Sequence, residues 1–139
     1  GLVAITPGAG FVTPLAAILI GGVGAAISYL AIKYIKGRAL VDESLDVFAC
    51  HGLGGLWGAL ATGLFASKAV NPAGADGLFY GNGMQFLVQL GAAALVIVFS
   101  LAMTWLLARL TGALVGLRVS SGSEQVGLDI SEHGERSLA

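Results

Sequence analysis

Long uncharged stretches alternate with short clusters of charge along the chain. No charged residue occurs in the first 32 positions, and prolines and glycines between Pro7 and Pro14 interrupt that stretch. Because about 20 apolar residues are enough for a helix to cross the ~30 Å hydrocarbon core of a membrane, this stretch is too long for one helix. It predicts the end of one helix at 1–6, a turn at 7–14 and a first complete span at 15–35.

Two further apolar segments, at 47–66 and 84–112, predict a second and a third span. Acidic residues precede the second segment, as suits a helix N-terminus, and a loop at 69–83 separates the two segments. The third segment would form a helix about 43 Å long, which exceeds the hydrocarbon core, so we expect it to tilt, kink or protrude. Large apolar residues lie all around this segment, which predicts a helix that faces lipid.

From Gly116 onwards the chain becomes polar and has few large apolar residues. This change divides the sequence into a transmembrane region, 1–115, and a tail, 116–139, which we expect to be extended or loosely ordered. Of the seven Lys and Arg residues, only Lys68 lies in the loop between the second and third spans. The others flank the first loop or the tail, and since positive charge favours the cytoplasmic side, the C-terminus is predicted to be cytoplasmic.

The composition supports a membrane protein. Hydrophobic residues make up 56% of the chain and charged residues 11%, against roughly 25% charged in an ordinary soluble domain. The mean hydropathy is +0.87. A net charge of −1 gives no electrostatic footprint for nucleic acid, and a single cysteine argues against a disulfide framework or a Cys-rich zinc site. The 22 glycines favour closely packed membrane helices.

The second span carries the candidate chemistry, because His51 is the one ionisable side chain well inside it. An ionisable residue at membrane depth indicates a functional site that faces protein or a water-filled path. Small and polar residues recur with His51 at intervals of three to four positions, which predicts a single stripe along one face of the helix. The glycines of this stripe are expected to allow close helix packing. The members of the stripe are Val47, His51, Gly54 or Gly55, Gly58 and Thr62.

Two interpretations of His51 remain open from spacing alone. It lines a pore, or it is hydrogen-bonded in a helix interface without a transport role. Asp46 is no obvious partner, since five residues of helix place it about 140° away around the axis. A neutral imidazole both donates and accepts a hydrogen bond, so it would pass a proton or bind a small polar solute.

Other kinds of chemistry lack their residues. The sequence contains no serine–histidine–acid set, paired carboxylates, phosphate-binding loop or clustered metal ligands, so we expect neither an enzyme nor a bound metal or cofactor. A haem-bearing membrane anchor would need a second histidine at membrane depth, and His133 lies in the polar tail. Cys50 is interpreted as a small buried hydrophobic residue.

Four segments resemble the ammonium transporter family (Amt/Mep, with the Rh proteins as relatives). They are G-L-V-A-I-T-P at 1–7, D-E-S-L-D-V-F-A-C-H-G-L-G-G-L-W-G-A-L at 42–60, G-L-R-V-S at 116–120 and G-L-D-I-S-E-H-G-E at 127–135. The resemblance implies an all-α, polytopic transmembrane bundle of eleven helices, assembled as a homotrimer in the cell membrane with a channel in each subunit. The chain resembles a C-terminal fragment: the end of the eighth span, the last three spans and the cytoplasmic tail.

The resemblance also implies roles for individual residues. His51 would be one of two paired pore histidines and Val47 a pore-wall residue, in a protein that transports ammonium or ammonia across the lipid bilayer. The alternative is an ammonium sensor of the same fold. A mid-pore His51 also requires a helix that begins nearer Asp42, or else a buried Asp46, and we expect the former.

The tail motif implies contacts between subunits and with a PII-type regulator. Its residues are Gly127, Asp129, His133 and Gly134. The tail departs from the family at Ser137 and Leu138, where an aromatic residue commonly follows.

Overall fold

The computed structural model describes residues 1–38 and 45–135, and most of these residues are helical. The α-helices are α1 (Leu2–Ile5), α2 (Pro14–Arg38), α3 (Gly54–Phe65), α4 (Gly83–Leu114), α5 (Ser121–Val126) and α6 (Leu128–His133). A π-helix at Phe48–Leu53 leads into α3, and short 3₁₀ turns lie at Thr6–Gly8 and Leu78–Tyr80. The only extended pairing in the described ranges is a single bridge between Val12 and Ala66, so the predicted all-α class is confirmed.

Three helical segments are long and apolar enough to cross a membrane: Pro14–Ile35, Phe48–Phe65 and Gly83–Leu114. They overlap the three segments that the apolar pattern predicts. The last of them, α4, has 32 residues and is therefore about 48 Å long, well beyond the ~30 Å hydrocarbon core. None of its residues is buried within this chain.

Residues 1–97 form one compact unit, built around small side chains. The short helix α1 packs against both α2 and α3. The core consists of Ala4, Val12, Ala16, Ile20 and Ala61. Trp57 ties α3 to α2, because its indole Nε1 donates a hydrogen bond of 3.0 Å to the carbonyl oxygen of Ile20. Three of these five residues are alanines, which let the three helices approach closely, as is typical of membrane bundles.

The loop between α3 and α4 is held by hydrogen bonds to its own ends and to the α1–α2 connection. The backbone N–H of Ser67 donates to the Phe11 carbonyl at 2.8 Å, and that of Gly77 donates to the Ala66 carbonyl at 2.8 Å. The rings of Phe65 and Phe79 meet edge to face, with their centroids 4.9 Å apart. This end of the unit is therefore an ordered cap on the helices.

Residues 98–139 form the second unit, which contains the tail. The expectation of an extended tail is wrong for α5 and α6, which are helical although they have few large apolar residues. Local hydrogen bonds account for these helices. Ser120 caps α5 by accepting a hydrogen bond from the Ser123 N–H at 3.1 Å, and the Arg118 Nε lies 2.9 Å from Glu124 Oε1. Ser137 and Leu138 lie outside the described residues.

Candidate functional site on the histidine helix

The histidine lies in the π-helix that opens the second span. Asp46, just before it, has a φ of 56°, a left-handed backbone conformation that is uncommon outside glycine. A residue in this conformation cannot continue a right-handed helix, so the span begins after Asp46. The expectation that the helix begins nearer Asp42 is therefore wrong, although Asp42 itself lies outside the described residues. Cys50 donates its backbone N–H to the Asp46 carbonyl at 2.9 Å, and Gly54 donates to that of His51.

The predicted stripe of small and polar residues is divided in two by the structure. Gly54, Gly58 and Thr62 are buried in the unit. His51 is exposed and the exposed fraction of Val47 is 49%, so this part of the stripe does not share the packed face. His51 lies in the π-helix, whereas the glycines and Thr62 lie in α3, and the π-helix changes the rotation of the backbone per residue.

The packed face depends on two glycines and on Ala4, which is 1% exposed. A Cβ atom on Gly58 would lie 2.1 Å from the Ala4 carbonyl oxygen, and one on Gly24 would lie 2.3 Å from the Ala4 Cβ. At Gly54 the nearest atom would be the Ser28 Oγ at 3.3 Å, and at Gly55 it would be Val3 Cγ1 at 3.9 Å. Contact is therefore closest at Gly58, tight at Gly54 and ordinary at Gly55.

Polar side chains on the packed face have partners inside the bundle. Thr62 Oγ1 donates to the Gly58 carbonyl at 2.9 Å, as membrane threonines often do to the preceding turn. By contrast, no hydrogen bond to the His51 imidazole is found within residues 1–38 and 45–135.

A cleft of about 420 Å³ lies at the opposite end of α3 from His51, and the sequence pattern gave no sign of it. Thr62, Gln85 and Gln89 contribute polar atoms to its wall, together with Pro7 and Phe11. The glutamines lie in the first turns of α4, where the apolar pattern predicts only a membrane span. The described part of the chain contains no group of His, Cys, Asp and Glu side chains that could hold a metal ion.

The four tail residues of the motif lie together on α6 and at its ends. Gly127 precedes the helix with a φ of 102°, and Gly134 ends it with a φ of 67°. The N–H groups of Gly134 and Glu135 donate to the carbonyls of Ile130 and Asp129, which is a glycine-terminated helix end. His133 occupies the last turn of the helix.

Comparison with known proteins identifies the family. The Ammonium Transporter Family matches residues 1–138, nearly the whole chain. The chain belongs to the ammonium transporter family. It is 46% identical over 136 residues to the ammonium transporter of Bacillus subtilis, covering 98% of this chain and 34% of that protein. It is 47% identical over 135 residues to ammonium transporter Amt1 of Archaeoglobus fulgidus, covering 97% of this chain and 34% of that protein.

The similarity extends to a eukaryote. Ammonium transporter 1 of Dictyostelium discoideum is 38% identical over 135 residues, which cover 97% of this chain and 29% of that protein. The chain thus spans about a third of the length of the curated relatives that it matches. As an ammonium transporter family chain with three helices long and apolar enough to cross a bilayer, it is a multi-pass membrane protein.

Proposed function

We propose that this chain serves the transport of ammonium or ammonia through a hydrophobic channel, with His51 and Val47 in the channel wall and His51 one of two paired histidines. The observation that carries the proposal is the position of His51. His51 belongs to a membrane span, but its side chain lies outside the packed face of the bundle, whereas the adjacent glycines lie in that packed face. An ionisable side chain so placed at membrane depth is best explained by a polar path beside it.

The imidazole supports such a path through its hydrogen bonding. In the neutral form one ring nitrogen donates and the other accepts, so the ring accepts a proton from ammonium on one side and holds ammonia on the other. The role of Gly54, Gly55 and Gly58 is to hold the histidine helix against its neighbours. The only covalent bond of the solute that changes in this proposal is the N–H bond by which ammonium gives up a proton.

The assembly belongs to the same proposal. The protein acts as a homotrimer in the cell membrane, with its C-terminus in the cytoplasm, and α4 faces lipid because large apolar residues lie all around it. The tail contacts a neighbouring subunit and a PII-type regulator through α6 and its flanking glycines, that is, through Gly127, Asp129, His133 and Gly134.

A chimaera tests the proposal in a full-length protein. Residues 1–136 of this chain replace the aligned segment of the Bacillus subtilis relative, in a host strain that lacks ammonium transporters. We expect the chimaera to restore ammonium uptake and His51→Ala to lower uptake about tenfold or more, a change of ~1.4 kcal/mol in the barrier. Cys50→Ala is the matched control, because it changes the neighbouring residue and should leave uptake unchanged.

Two further results decide between alternatives. Ammonium binding without uptake by the folded chimaera would support a sensor instead. If His51→Ala unfolds the protein and a stabilised revertant transports normally, His51 is structural and the proposal fails. His51→Glu sharpens the test, since a carboxylate holds a cation more directly and should restore some uptake with altered selectivity between ammonium and potassium.

A further inference from the structure

The burial pattern around His51 is not that of a continuous α-helix. In an α-helix each residue is rotated by about 100° from the one before, so His51 would lie about 20° from Gly58 around the axis. Ala49, nine residues before Gly58, would lie about 180° from it, on the opposite side. A regular helix would therefore turn His51 toward the face where Gly58 contacts Ala4, and would turn Ala49 away from it.

The structure places Ala49 in the packing instead. Ala49 is 2% exposed, as expected for a residue on the same side of the helix as the buried Gly54 and Gly58. Ala49 and His51 both lie in the π-helix Phe48–Leu53, which precedes Gly54 and Gly58 and explains the difference. Its hydrogen bonds join residues five apart instead of four, so each turn takes up more residues and each residue turns the helix by less than 100°. Over this segment the smaller rotation per residue brings Ala49 closer to the packed face and moves His51 away from it.

We propose that the π-helix Phe48–Leu53 is the positioning device for His51, which turns the imidazole out of the α1–α2–α3 packing and into the channel wall. The inference rests on the proposed function for the channel, but the rotation itself does not. Contacts of residues before and after His51 stabilise the π-helix. The segment packs against α2, and a Cβ on Gly52 would lie 3.3 Å from the Phe48 Cδ2, so the Phe48 ring covers the backbone at Gly52.

Deleting Cys50 tests the device, because it removes one residue from the wide turn and allows a regular α-helix. Ala49 would then stand four positions before Gly54, about 40° from it, and remain on the packed side. His51 would move to about 20° from Gly58 and face the packing. Cys50→Ala keeps the residue count and is the matched control.

In the chimaera, we expect the Cys50 deletion to give folded protein, judged by gel filtration and thermal unfolding, with uptake as low as that of His51→Ala. Adding His51→Ala to the deletion should cause no further loss, because the imidazole has already left the channel. Uptake within twofold of the Cys50→Ala control would overturn the proposal.

Silver ions give a readout that does not depend on transport or on folding of the deletion. Single cysteines are placed by Ala49→Cys or His51→Cys in a chimaera with its other cysteines replaced, and reaction with Ag⁺ is followed. We expect the thiol at 51 to react at least tenfold faster than that at 49. A faster reaction at 49 would indicate a continuous α-helix and overturn the role proposed for the π-helix. The proposed transport function would still be tested separately by His51→Ala.

Discussion

Asp46 shows how one residue sets the start of the histidine helix. Its φ of 56° departs from right-handed helical geometry, and the π-helix begins two residues later, at Phe48. A left-handed backbone costs a residue with a Cβ about 1–2 kcal/mol, and aspartate is among the residue types that adopt it most readily. The protein therefore accepts this conformational free energy at Asp46, and the span begins directly after it.

The comparison of Asp46→Gly with Asp46→Ala isolates that cost. Both variants lack the carboxylate, and they differ in whether a Cβ must adopt the left-handed conformation. We expect the glycine variant to be more stable than the alanine variant by about 1 kcal/mol. Unfolding of the chimaera in detergent measures the difference, and equal stabilities would show that Asp46 is not held at positive φ.

At the scale of elements, the helices are held together by backbone approach more than by large side chains. Ala4 lies between Gly24 of α2 and Gly58 of α3, and both contacts leave no space for another methyl group. Van der Waals packing at such short range is the main source of helix association where lipid competes for apolar side chains. We therefore expect the effect of a glycine-to-alanine substitution on stability to depend on the atom that the added Cβ would contact.

Gly58→Ala and Gly55→Ala form a matched pair on one helix. The added methyl at Gly58 would lie 2.1 Å from a backbone oxygen, which no rotamer change relieves, whereas at Gly55 it would lie 3.9 Å from Val3 Cγ1. We expect Gly58→Ala to abolish folded chimaera, and Gly55→Ala to change its stability by no more than about 1 kcal/mol. Fluorescence-detected gel filtration gives the folded fraction, and folded Gly58→Ala would contradict the observed contact.

The elements also show what the sequence could predict. Apolar segment length predicts the three long helices, because the bilayer fixes how many residues a span needs. His51 stands out because ionisable residues at membrane depth are rare. The π-helix could not be predicted, since a periodicity of 3.6 residues per turn places His51 on the same face as Gly58. The helices α5 and α6 were missed because serine and glycine caps, not apolar periodicity, define them.

At the scale of the whole molecule, the distribution of Lys and Arg makes a prediction about orientation. The loop that contains Ala73 carries one cation, whereas the first loop and the tail region share the other six. Both Ala73 and Ser121 are exposed, so a cysteine at either position is open to a reagent in water.

We expect Ala73→Cys to react with a membrane-impermeant thiol reagent on intact cells, and Ser121→Cys to react only after permeabilisation. Each is made in a chimaera without other cysteines. Labelling is read on gels after purification. Reaction of Ser121→Cys on intact cells would place the tail outside and overturn the orientation.

The position of Ala4 between two later helices has a consequence for biosynthesis. Ala4 leaves the ribosome before either helix that encloses it, and Gly58 follows it by about 54 residues, or about 3–11 s of synthesis at ~5–20 residues per second. During that interval the Gly58 side of the pocket for Ala4 does not exist. The packing around Ala4 is therefore completed only after α3 has been synthesised, whereas its contact with Gly24 of α2 becomes available about 34 residues earlier.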